Sequence, residues 1–106
     1  MADTIVVLVT CGSRKEARKI ALALVERRLA ACVNEIGSGV TSTYRWKDKI
    51  ESAKEFLLLA KTTRRRFAAL RSAVRELHSY DVPEIIALPI ATGSVDYLDW
   101  VAKSVR

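Results

Sequence analysis

The chain has 106 residues, half of them hydrophobic and 28% charged, with a formal net charge of +6. That suffices for one domain with its own core and not for two, and the balance is that of a folded rather than a disordered chain. No apolar run approaches the ~20 residues of a membrane span, so no membrane partner is expected.

Met1-Ala2-Asp3-Thr4 carries no basic region ahead of the first apolar run, and no small-residue cleavage site follows it. No signal peptide is therefore expected, and the location expected is cytoplasmic. Ile5-Val6-Val7-Leu8-Val9 is a β-branched run that reads as a strand buried on both faces. Ser13 and Glu16 form S-x-x-E, the pattern of a capping box, and predict a helix. Ala17, Ile20, Ala21, Leu24 and Val25 recur on one helical face, and the helix is expected to end near Leu29-Ala30. The segment between Cys11 and Cys32 then holds a helix of about seventeen residues, roughly 25 Å long, which keeps the two thiols too far apart for a disulfide. Free thiols fit a reducing compartment.

After Cys32 the period changes to two. Val40, Ser42, Tyr44 and Trp46 alternate with Thr41, Thr43 and Arg45, as in a strand, while Gly37-Ser38-Gly39 predicts a bulge or bend. Lys47-Asp48 makes a tight turn, and the return strand has Phe56-Leu57-Leu58-Leu59-Ala60 at its heart. The hairpin arms are longer than the usual five or six residues. Thr62 or Thr63 is placed to cap a second helix with Phe67, Leu70, Val74 and Leu77 as its stripe. Ile85–Ile90 follows as a strand at a sheet edge, since Pro89 lacks an N–H. Ser94 then opens a short helix containing Tyr97, Leu98, Trp100 and Val101.

The order βαββαβ predicts an α+β fold over residues 1–106: a ferredoxin-like sandwich with both main helices on one sheet face, a long hairpin and an extra short C-terminal helix. Because the strands are apolar at odd and even positions alike, the second sheet face also wants cover that a short tail helix cannot supply. A homo-oligomer is the expected consequence.

Chemistry-bearing residues concentrate in three places. His78, Tyr80, Asp81 and Glu84 fall within seven residues, and the other two concentrations are Tyr44-Arg45-Trp46 and Tyr97-Leu98-Asp99-Trp100. A site is expected from these three pieces. His78 has two readings, a helix C-terminal histidine beside free carbonyls or a metal donor; with one histidine and two cysteines, a metal site would have to be shared between subunits. No nucleophile–base pair stands out, so an enzyme is not expected. The arginines and lysines are spread over Arg14-Lys15, Arg27-Arg28, Arg64-Arg65-Arg66 and Lys47/Lys49. They read as solvated faces, and with Phe56 the lone aromatic of its strand, nucleic-acid binding is not expected.

Leu29-Ala-Ala-Cys-Val-Asn34, Thr43-Tyr-Arg-Trp46 with Lys49-Ile50, Glu76-Leu-His-Ser-Tyr80, Val82-Pro-Glu-Ile85 and Asp96-Tyr-Leu-Asp-Trp100 together resemble the CutA family of divalent-cation tolerance proteins, over nearly the whole chain. The resemblance implies a tight homotrimer, similar in design to the PII signalling proteins, with hairpins around the threefold axis. It also implies a response to divalent ions and binding of Cu(II) or another divalent cation, with no organic cofactor. The family's proposed cysteine–histidine–glutamate ligands fall on Val9, on His78 or Leu77, and on Glu84; Cys11, two residues beyond Val9 on the same strand face, is the candidate thiol. Tyr44, Trp46, Tyr80 and Trp100 would shape the subunit contact or pocket. Two residues depart from the pattern: Asp48 stands for the turn glycine, and Ser79 for the proline after the histidine, which implies a looser loop. The other reading is a PII-like scaffold whose inter-subunit clefts take a small anion or a partner protein.

Overall fold

The computed structural model describes residues 3–105, with the backbone alone at Ser38; the Met1-Ala2 start read above lies outside them. The elements are β1 (Thr4–Cys11), α1 (Arg14–Glu26), β2 (Cys32–Trp46), β3 (Lys49–Thr63), α2 (Phe67–Leu77), β4 (Ile85–Pro89) and α3 (Val95–Ser104). They form an antiparallel sheet of order β2-β3-β1-β4, as expected for the ferredoxin-like arrangement, with β4 and its proline at an edge.

One sheet face is the core. Ile5, Val7, Val9 and Cys11 of β1, with Leu58 and Ala60 of β3, pack against Ala17, Ile20 and Leu24 of α1 and Leu70, Ala73 and Val74 of α2. The period of two decides which strand residues enter it. Each fully buried Leu, Ile or Val contributes about 1.5–3 kcal/mol. Val25, expected on the stripe, is instead exposed at the end of α1.

Helix α1 has 13 residues and stops at Glu26, short of the expected Leu29-Ala30. Arg28 adopts a left-handed φ of 57°, which turns the chain so that the N–H groups of Leu29 and Ala30 both donate to the Leu24 carbonyl. This closure serves the free carbonyls of the last turn and buries Leu29 and Ala30. The Thr62 hydroxyl donates to the Leu29 carbonyl over 2.7 Å, inside the core. Neither Thr62 nor Thr63 therefore caps α2. Thr63 continues β3 opposite Thr4, and a 3-10 turn, Arg64–Arg66, leads into the helix without a side-chain cap. Ser94 holds the N-cap position of α3 by its backbone, its hydroxyl making no cap bond. The two cysteines are free thiols.

The long hairpin is present, with 15 residues in each arm. Its register slips between Ile36 and Val40, at the glycine pair, and its two-residue turn has positive φ at both Lys47 (51°) and Asp48 (67°). The other sheet face carries Val6, Leu8, Leu57, Leu59, Ile86 and Leu88. Helix α3 covers only the end near Thr4 and Thr63. Among the described residues, no helix is long and apolar enough to cross a membrane.

Candidate functional site

The loop after α2 is the organising piece. His78 stands at the C-cap of α2, but its ring turns away from the helix carbonyls into the protein. Nε2–H donates to the Thr10 carbonyl over 2.7 Å, and Nδ1 accepts the Tyr80 N–H over 3.1 Å. The neutral Nε2–H tautomer satisfies both, so both ring nitrogens are engaged. The ring also lies 4.6 Å from that of Tyr80, centroid to centroid.

Ser13 accepts the Glu16 N–H, which completes one half of the expected capping box. The other half is diverted. The Glu16 carboxylate accepts the Ser79 N–H over 2.6 Å and the Ser79 hydroxyl over 2.9 Å, and it lies 3.7 Å from His78 Nδ1. Proline could make neither bond. Ser79 therefore clamps the loop that it was expected to loosen. Next along, the Tyr80 hydroxyl donates over 2.7 Å to Glu55, a carboxylate only 7% exposed. Burial, followed by that carboxylate, keeps the Tyr80 phenol protonated well above the ordinary range.

These contacts make one wall of a cleft of about 620 Å³. Tyr80, Asp81 and Glu84 line it from the loop, and Tyr44, Trp46 and Glu51 from the hairpin, with Glu55 and Thr10 between them. Four carboxylates and three aromatic rings face it, and no lysine or arginine is among the described residues that do. Two of the three expected pieces thus converge. The third does not: Trp100 pairs with Tyr97 on α3, at a ring distance of 5.6 Å, and α3 borders a separate hollow with Thr4 and Thr63.

The candidate ligands His78, Glu84 and Cys11 are not gathered into one site within the subunit. Glu84 is exposed on the cleft, and His78 is engaged behind it. Cys11 lies in the core on the helix side of β1, where burial and then the carboxylates of Glu16, Glu55 and Glu35 push its thiol up to about 12. A thiol so protonated is a poor metal ligand. No group of three or more His, Cys, Asp or Glu among the described residues is placed to hold a metal ion. The described residues of a single subunit therefore do not fit the metal.

Glu16 and Glu55 are the site residues that the sequence reading passed over. Glu55 had a signal: it shares its sheet face with Leu57 and Leu59, so a charge stands in an apolar row. Glu16 had none beyond the capping pattern, since its partner lies 63 residues away.

The family model for the CutA1 divalent ion tolerance protein matches residues 5–104. A divalent-cation tolerance protein CutA of Thermus thermophilus is 54% identical over 99 residues, covering 93% of this chain and 95% of that one. Protein CutA of Homo sapiens is 50% identical over 95 residues, 90% of this chain but 52% of the human protein, so the chain spans about half of that relative. Among solved structures, the Thermus thermophilus divalent cation tolerance protein superposes with a TM-score of 0.95 at 51% identity, covering 97% of this chain and 99% of that one. A periplasmic divalent cation tolerance protein CutA of Archaeoglobus fulgidus gives 0.93 at 40% identity, covering 97% and 99%. The fold agrees with these matches, and the chain belongs to the CutA1 divalent ion tolerance family.

Proposed function

We propose that this chain serves divalent-cation tolerance as a cytoplasmic, non-enzymatic homotrimer that holds copper or another divalent ion between its subunits. The observation that carries the assembly is the sheet face away from α1 and α2. Ile86 and Leu88 of β4 are each 47% exposed there, beside the half-buried Val6, Leu8, Leu57 and Leu59. Apolar rows of that extent are association surfaces, and β2 and β4 are also unpaired sheet edges.

An ion then takes donors from more than one subunit, because the described residues of one subunit gather no ligand set. Glu84 and Asp81, exposed on the cleft, are the available carboxylates. His78 could ligate only by giving up one of its two hydrogen bonds, so in this reading it positions the loop while Glu84 meets the ion. The anion-binding scaffold draws less support, since four carboxylates and no described basic side chain line the cleft.

Light scattering on the native protein should return the mass of three chains, and Leu88→Glu should reduce it. Calorimetric titration with Cu(II) should show saturable binding that Glu84→Ala weakens. A monomer mass would sink the assembly. Copper binding indifferent to Glu84→Ala would sink the proposed donor.

A further inference from the structure

We propose that the cleft is a binding site for an organic ammonium ion, a primary or methylated amine carried by a small molecule. This goes beyond cation tolerance, which concerns inorganic ions, and does not rest on it.

Three observations converge. First, the cleft joins aromatic faces to carboxylates: Tyr44, Trp46 and Tyr80 against Glu51, Asp81 and Glu84. Aromatic faces attract weakly hydrated organic cations through the ring quadrupole, and carboxylates supply the opposite charge. Within one subunit a small divalent ion gains nothing from the rings, and it finds no group of three ligating side chains among the described residues.

Second, Glu55 is a residue 93% buried that makes no ion pair with any described residue, and among those residues the Tyr80 phenol is its one hydrogen-bond donor. Its other oxygen has no described partner and is open to the cleft, so a cation seated there would meet a free acceptor.

Third, the wall is built before any ligand arrives. Tyr80 is held by Glu55, its N–H is tied to His78, and Ser79 beside it is clamped by Glu16. Preorganisation of this kind lowers the entropy lost on binding. A volume of about 620 Å³ admits a ligand of metabolite size.

The same ammonium chemistry could come from a lysine of a second copy, and the test separates the two sources. The chain has two tryptophans, so Trp100→Phe leaves Trp46 as the single reporter, on the wall of the cleft. The assembled protein is titrated with putrescine and with tetramethylammonium chloride, against sodium chloride of equal ionic strength. A saturable change in Trp46 fluorescence is expected with the amines and not with sodium. Glu55→Gln should raise the half-saturating concentration at least tenfold. The exposed rim pair Glu51→Gln with Asp81→Asn should raise it severalfold, which keeps the test valid if Glu55→Gln fails to fold. Glu76→Gln, on the exposed face of α2, should leave it unchanged. A response that sodium reproduces, or that ignores Glu55→Gln and the rim pair alike, overturns the proposal. Saturation appearing only after Lys47→Met with Lys49→Met would assign the amine to a hairpin lysine of another copy and overturn the free ligand. No saturation in any variant overturns both sources. Copper titration of Glu84→Ala is a separate measurement, so either reading can fail alone.

Discussion

Ser79 and Glu16, 63 residues apart in the chain, are joined by two hydrogen bonds, from the backbone N–H and the hydroxyl of Ser79 to the two carboxylate oxygens. They tie the start of α1 to the loop after α2, at the position where the family pattern has proline. Both are exposed to solvent, where a hydrogen bond contributes about 0.5–1.5 kcal/mol net. Glu16→Ala removes both and should lower unfolding free energy by about 1–3 kcal/mol, whereas Ser79→Ala keeps the N–H bond and should lose about 1 kcal/mol. Guanidinium unfolding at one fixed protein concentration measures both. Equal losses would show that the hydroxyl, not the backbone N–H, carries the clamp.

Cys11 offers a pH test. Its thiol is raised from 9.0 to about 12 by burial, then by Glu16, Glu55 and Glu35. A folded-state value above the unfolded one means the unfolded chain loses the proton first as pH rises. The stabilisation is complete below about pH 9 and is lost as pH climbs toward 12. Melting temperature should therefore fall over that window, less steeply in Cys11→Ala. A thiol reagent at pH 8 should leave Cys11 unmodified until the protein unfolds, because only the thiolate reacts and the site is closed. Modification of native Cys11 would refute this placement.

Gly12 lies under the Tyr80 ring. A Cβ there would meet the Tyr80 hydroxyl oxygen at 3.0 Å and the ring edge at 3.5 Å. The ring can yield only by straining its bond to Glu55. Gly12→Ala should destabilise by about 1 kcal/mol, within the range of small overpacking errors. In Tyr80→Phe, which lacks the hydroxyl, the same substitution should cost less, and a double-mutant cycle of denaturant midpoints would read the difference. Strict additivity would mean that the two residues do not press on each other.

The hairpin turn has positive φ at both central residues, and Asp48 sits at 67°. Two-residue turns of this hand favour glycine at the second position, since it has no Cβ to crowd the carbonyl. Asp48→Gly should raise stability by about 0.5–1 kcal/mol, measured as a higher unfolding midpoint with an unchanged denaturant slope. A lower midpoint would imply that the aspartate side chain supports the turn.

Periodicity carried the architecture. The β-branched run at Ile5–Val9, the alternation from Val40 to Trp46 and the helical stripe at Leu70 and Val74 are local patterns, and each became the element it implied. Local capping logic was less complete. Ser13 and Glu16 read as a reciprocal box, yet half of it became a long-range clamp, and the Thr62 hydroxyl turned to the Leu29 carbonyl instead of capping α2. A side chain with two possible partners takes the one that tertiary packing desolvates more usefully, and one chain segment holds no information on that choice.

By itself the sequence determined the order of elements, the edge position of the proline strand, the bulge at the glycine pair and the family, because these depend on neighbours, on period or on motif. Only the tertiary structure decided that the His78 ring bonds Thr10 and Tyr80, that Trp100 stands apart from Tyr44, Trp46 and Tyr80, and that Glu55 is buried opposite Tyr80. Those facts come from strands and loops meeting across tens of residues. A side chain's partners are set by what the fold brings within 3 Å of it, and spacing along the chain does not record that distance.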